Sequence, residues 1–341
     1  MLKPFPIALA VAFGLVATSC ENEVELLDGS APTPIVYGLY NQNAATQTLS
    51  LTKTFGFAEG AGAIESAATA DSVYYDPESV TVTVTGPGGE TVATRFSAAD
   101  EGVVRGPGDF PGEPNFLYRF DTTGLGLGTG DDLMLEVTRV DDGAVIARAV
   151  TPRLPSIIFQ VGRFPPSNYP LTATREQGFS WRITGDEEAR DLVSILEVGF
   201  NIAYLETGPN GTEARELYFP AATNIRGDVR ANIDLRSVYA FLEARLEADP
   251  QITRRFRYMQ LVVTGGSESF ENYQILLQAN SGITSTQELP PFSNIEGGIG
   301  LYGSITQFRQ DTFGTLTPGA FDALFGLDGD RFGVGDLNFE P

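Results

Sequence analysis

From residue 35 onward, apolar and polar side chains trade places every second position over short stretches. Thr48-Leu49-Ser50-Leu51-Thr52 and Val80-Thr81-Val82-Thr83-Val84 each read as a strand with one face in a core and the other in water. Gly86-Pro87-Gly88-Gly89 then turns the chain back into residues 91–96. Leu133 to Val137 and Ala144 to Val150 flank Asp141-Asp142-Gly143, a hairpin signal whose glycine accepts positive φ. Strands at this spacing, divided by glycine-rich turns, predict a β-sandwich, and the first is expected to be Ig-like.

Residues 151–170 carry Pro152, Pro155, Pro165, Pro166 and Pro170, which suits a crossover where ladder hydrogen bonds are not needed. Beyond it, residues 193–205 and 213–219 surround Gly208-Pro209-Asn210-Gly211, a second hairpin, and residues 256–264 form a third strong strand. A helical period interrupts them. Asp234 is placed to cap it, Leu235, Val238, Tyr239, Leu242 and Leu246 recur at steps of three and four, and Pro250 lies beyond its end. That stripe reads as packing against a sheet. A short helix is expected at residues 320–325, with Thr317 as cap, Pro318 in the first turn and Gly326 as stop. The expected class is therefore all-β with minor α: two sandwich-like domains, the second carrying one amphipathic helix near residues 235–248.

The amino terminus follows a different rule. Lys3 precedes an apolar run over residues 5–17, and Ala17-Thr18-Ser19-Cys20 closes it with small side chains. That run is shorter than the roughly 20 residues a membrane-spanning helix needs and fits the core of a signal peptide. The pattern resembles a bacterial lipobox, with Ala17 where Leu is commoner. It implies cleavage before Cys20 and transfer of a diacylglyceryl group to its thiol. Cys20 is the only cysteine in 341 residues, so the chain forms no intramolecular disulfide. Each buried acyl methylene contributes about 0.8 kcal/mol, so two or three chains on Cys20 would hold the protein firmly.

The expected organisation is a leader at 1–19, an acidic tether at 20–34, an Ig-like domain at 35–151, a second β-rich domain at 152–310 and a C-terminal extension at 311–341. Glu21-Asn22-Glu23-Val24-Glu25 gives the tether its acidic start and resembles the surface-export signals of Bacteroidota-type lipoproteins. Taking 19 residues from 341 leaves 322, and losing Lys3 moves the net charge from −22 to −23. A charge of that sign disfavours nucleic acid and anionic membrane surfaces as partners.

Four segments together carry a family resemblance: Ile35-Val36-Tyr37-Gly38-Leu39-Tyr40; Lys53-Thr54-Phe55; Asp71-Ser72-Val73-Tyr74-Tyr75; and Asn294-Ile295-Glu296-Gly297-Gly298-Ile299-Gly300-Leu301-Tyr302-Gly303. They resemble the uncharacterised Bacteroidota-type outer-membrane lipoproteins classed as domains of unknown function. The resemblance covers most of residues 20–303. It implies a two-part β protein at the cell surface, often beside a TonB-dependent receptor, and it supplies no catalytic residues.

Candidate chemistry is sparse. The glycines of residues 294–303 do not make a phosphate loop, because no lysine follows them; close packing of a terminal strand explains them better. Asp328, Asp330, Asp336 and Glu340 suggest calcium only weakly, since Arg331, Phe332 and Phe339 interrupt the ligand spacing. Asp71-Ser72-Val73 and Asp121-Thr122-Thr123 resemble short bacterial O-glycosylation sites. With no histidine, the Ser-His-Asp triad and histidine-based zinc sites are excluded. Carboxylate hydrolysis is the enzyme alternative that survives, but 44 acidic residues make some suitable pair almost inevitable, so such a pair carries no weight by itself. No cofactor or metal site is expected.

The expected function is a non-enzymatic binding or accessory subunit, alternatively a glycan or peptide capture protein with exposed aromatics at its site. Trp181, the sole tryptophan, is expected in the core. If Cys20 carries the lipid, cells fed labelled palmitate should yield labelled wild-type protein in the membrane fraction. Cys20→Ser should be unlabelled and should leave that fraction; a labelled Cys20→Ser would remove the anchor from this residue.

Overall fold

A computed structural model describes residues 32–54, 70–103, 114–159, 176–223, 230–234, 236–280, 292–309 and 339–340. Cys20, the tether as far as residue 31, the segment at 320–325 and Asp328, Asp330 and Asp336 lie outside these residues.

The alternating segments become strands whose apolar faces meet. β1 (Pro34–Asn41), β2 (Thr46–Lys53), β5 (Thr94–Ser97) and β6 (Phe116–Asp121) line up as β1-β2-β6-β5. They share a core with a four-stranded sheet ordered β4-β3-β7-β8, built from β3 (Val80–Gly86), β4 (Gly89–Val92), β7 (Asp132–Arg139) and β8 (Val145–Pro152). Leu49, Leu51, Val82, Val84, Leu133, Leu135 and Val137 fill the space between them. This order matches the A-B-E-D and C-F-G sheets of an immunoglobulin-type sandwich, with one strand added beside C. Residues 91–96, expected as a single return segment after the turn, divide at Ala93. β4 stays with β3 while β5 crosses to β6, so the return strand serves both sheets.

The second core follows the prolines. A three-stranded sheet, β13-β10-β9, is made from β9 (Ile157–Phe159), β10 (Glu176–Ile183) and β13 (Arg230–Asp234). It shares a core with three long strands, β11 (Ser194–Gly208), β12 (Gly211–Thr223) and β14 (Thr253–Gly266). Trp181, Phe179, Phe200, Ile202 and Leu261 sit at its centre, so Trp181 is a core residue as expected. Between these strands lie α1 (Ala70–Val73), α2 (Glu187–Asp191), α3 (Arg236–Arg245) and α4 (Glu268–Asn280). α3 is the helix expected from periodicity. Asp234 accepts the Arg236 amide at 3.1 Å, and Val238 and Leu242 are buried in the second core. α4 falls where no helix was expected.

The two cores are backed by one sheet. β15 (Ile299–Arg309) pairs antiparallel with β14 and parallel with β1, from Ile35 opposite Ile299 to Asn41 opposite Ile305. The result is a nine-stranded sheet ordered β12-β11-β14-β15-β1-β2-β6-β5, with β16 (Phe339–Glu340) beside β14. Tyr302 enters the first core and Phe308 packs on the second.

The glycines of residues 294–303 are what admit β15 to this position. Gly297 has φ +73° and abuts the Ile146 carbonyl, Gly298 abuts the Pro34 carbonyl, and Gly300 has φ +124° with its α-carbon face against the Val36 carbonyl. Asn294 locks the entry. Its Oδ1 accepts the Tyr302 amide at 2.9 Å and its Nδ2 donates to the Tyr302 carbonyl at 2.7 Å. A Cβ at position 300 would collide with the Val36 oxygen in a backbone region that disfavours side chains. Gly300→Ala should therefore lower stability by roughly 3 kcal/mol in urea unfolding, combining backbone strain and overpacking. A loss under about 1 kcal/mol would mean the strand enters differently.

Candidate binding site

The face of the nine-stranded sheet turned away from both cores is covered at its centre by α4. Side chains at Phe270, Tyr273, Gln274 and Leu277 recur at helical steps and line the cavities beneath the helix. Two glycines let the helix seat closely: a Cβ at Gly266 would meet Phe270 at 2.8 Å, and one at Gly303 would meet it at 3.2 Å. Polar ties fix the seat. The Ser304 amide donates to the Ser267 hydroxyl at 3.0 Å, the Ser267 amide donates to the Ser304 carbonyl at 2.9 Å, and Ser194 donates to Glu271 at 2.5 Å.

A groove opens on each side of the helix. Towards β11 and β14 lies a cavity of about 460 Å³ with Leu196, Ile305 and Leu277 beside Glu197, Gln274 and Gln307. Towards β1 and β2 lies a second, of about 390 Å³, and it is the more aromatic. Leu39 and Leu301 form its floor, Thr48 and Ser50 supply hydroxyls, and Tyr37 and Tyr273 stand at its side. The Tyr37 and Tyr273 ring centroids are 6.3 Å apart at 60°, and Tyr273 lies 6.3 Å from Phe292. Tyr37 stays 44% exposed, so an apolar ring with a polar edge is offered to solvent. Both cavities fall in the range of about 300–1,000 Å³ typical of small-molecule sites.

Burial pushes the Tyr37 phenol above its ordinary value of 10.0, and the neighbouring Tyr273 phenol adds to the rise. On the same sheet face, Tyr218 lies over Gly199 and donates to Glu197; burial first, then that bond, raises its phenol strongly. Two carboxylates move the other way. The hydrogen-bonding guanidinium of Arg119 lowers Glu101, and that of Arg236 lowers Asp234.

The residues singled out from sequence do not converge on this groove. Ser72 belongs to α1, and the Thr122 hydroxyl donates to the Ala45 carbonyl at 3.0 Å in the turn after β6. Glu340 lies in β16, opposite Arg255. The aromatic set was missed because it joins three distant segments. The apolar spacing after Ser267 was the one local signal that could have exposed α4. Comparison with protein-family models and with curated proteins finds no match for this chain.

Alkaline titration tests the Tyr37 environment. Its folded-state value is raised, so its contribution is complete below 10.0 and is lost as pH climbs through the folded value. Tyr37→Phe should therefore lose less stability than wild type between neutral pH and pH above 10. Equal losses in the two proteins would mean that partial burial does not raise the Tyr37 phenol.

Proposed function

We propose that this protein is a lipid-tethered, non-enzymatic capture protein of the outer-membrane surface, a binding or accessory subunit that presents its ligand near a TonB-dependent receptor. The observation that carries the capture reading is the pair Tyr37 and Tyr273 lining one cavity with the hydroxyls of Thr48 and Ser50, with Phe292 against the Tyr273 ring. Rings stack on the C–H faces of sugars while flanking hydroxyls bond their O–H groups, so a glycan is the ligand class this lining suits. The anchor reading rests on the sequence around Cys20. The receptor reading rests on the resemblance of residues 35–40 and 294–303 to surface lipoproteins.

Native gels cast with a panel of polysaccharides test the capture role. Wild type should be retarded by at least one neutral glycan, and Tyr37→Ala and Tyr273→Ala should each weaken retention roughly fivefold, for about 1 kcal/mol of stacking. Unchanged retention in both variants would remove the groove from the function. A pull-down from solubilised outer membrane should recover a stoichiometric receptor. Glycan cleavage abolished by one carboxylate-to-amide change would instead make the protein a hydrolase.

A further inference from the structure

A third cavity, of about 360 Å³, lies away from α4, where the loop after β1 meets the turn after β6 and the end of β8. Tyr40, Gln42, Asn43, Thr122, Thr123 and Arg153 are among its lining residues. Arg153 is its one cation. The guanidinium Nη1 donates to the Leu127 carbonyl, while Nε is buried and has no hydrogen-bond partner. Among the described residues Arg119, Arg148 and Arg254 find carboxylates in Glu101, Glu136 and Glu206, while Arg95 and Arg190, like Arg153, donate to backbone carbonyls. No such pair includes Arg153, in a chain with twice as many acidic as basic residues, 44 against 22. Asp131 is adjacent through the backbone, but its carboxylate accepts the Gly128 amide at 2.6 Å.

A partly desolvated guanidinium with spare donors is costly unless an anion completes it. Its surroundings add further donors. The Asn43 Oδ1 is taken by the Gln307 amide at 2.9 Å, which turns that side chain's remaining capacity to donation, and Tyr40 brings a phenol. The backbone here is held. The Arg153 amide donates to the Asp131 carbonyl at 2.8 Å, and the preceding Pro152 carbonyl accepts the Ser304 hydroxyl at 2.5 Å. Pre-positioning of this kind is what makes a forked guanidinium selective for planar or tetrahedral oxyanions.

We infer that the cleft over Arg153 binds an oxyanion, the carboxylate of a sugar acid or a free phosphate, with Arg153 as the charge partner and Tyr40 as a supporting donor. The site shares no residue with the aromatic groove, and its test is independent of the capture reading.

Calorimetric titration of the full chain, at constant ionic strength, uses three probes: D-galacturonate, D-galactose and inorganic phosphate. Galacturonate or phosphate should bind, with at least tenfold loss in Arg153→Ala, and galactose should show no Arg153-dependent binding. Arg153-dependent binding of galacturonate alone identifies a sugar-acid site, and of phosphate alone a phosphate site. Arg153→Lys, which keeps the charge without the fork, and Tyr40→Phe should each weaken binding severalfold and carry the test if Arg153→Ala does not fold. Absence of binding by both anions, or affinities unchanged across these variants, would overturn the inference.

Discussion

The parallel pairing of β1 with β15 is the constraint on which the rest of the molecule depends. It joins residues 35–41 to residues 299–305 and makes one sheet of what would otherwise be two. Parallel strands cannot be linked by a tight turn, and here nearly the whole described fold lies between the partners. Closing so long a loop is entropically costly, and such contacts form late. The pair must therefore be stabilised from both sides. Val36 and Tyr302 are buried in the first core on one face, and α4 covers Leu301 on the other.

Several polar groups at the joint are satisfied through one side chain, although the buried Tyr302 hydroxyl has no hydrogen-bond partner. Ser304, fully buried, bonds Ser267 at the start of α4 and the Pro152 carbonyl at the end of β8, and lies 2.7 Å from the Thr151 hydroxyl. One side chain thus ties helix, shared strand and first sandwich together. Leaving any of these groups without a partner would cost about 1–3 kcal/mol. Both proposed sites stand on this joint. The aromatic groove takes its floor from β1 and β15, and the Arg153 cleft opens where Asn43 and Gln307 meet.

Much of the fold was legible because it is local. Leu49 and Leu51, then Val80, Val82 and Val84, alternate in sequence and are buried in structure, and Gly143 and Gly211 take the positive φ their turns require. The close-packing reading of residues 294–303 was also available, since only glycine tolerates such contact with carbonyl oxygens. What alternation could not reveal was pairing. A strand pattern states which face is buried and not which distant strand lies beside it, so the sheet shared by both cores stayed hidden. The switch at Ala93 was hidden too, because nothing in Thr91-Val92-Ala93-Thr94-Arg95-Phe96 marks where β4 leaves β3 and β5 joins β6. Tyr37, Tyr273 and Arg153 are ordinary residues in their own segments; their arrangement exists only after β15 has docked.

Calorimetric unfolding of the full chain tests that dependence most directly. If β15 welds the two sandwiches, heating should give one transition whose calorimetric and van't Hoff enthalpies agree. Two resolved transitions, with one core melting while the other remains folded, would show that the shared sheet does not hold the molecule together.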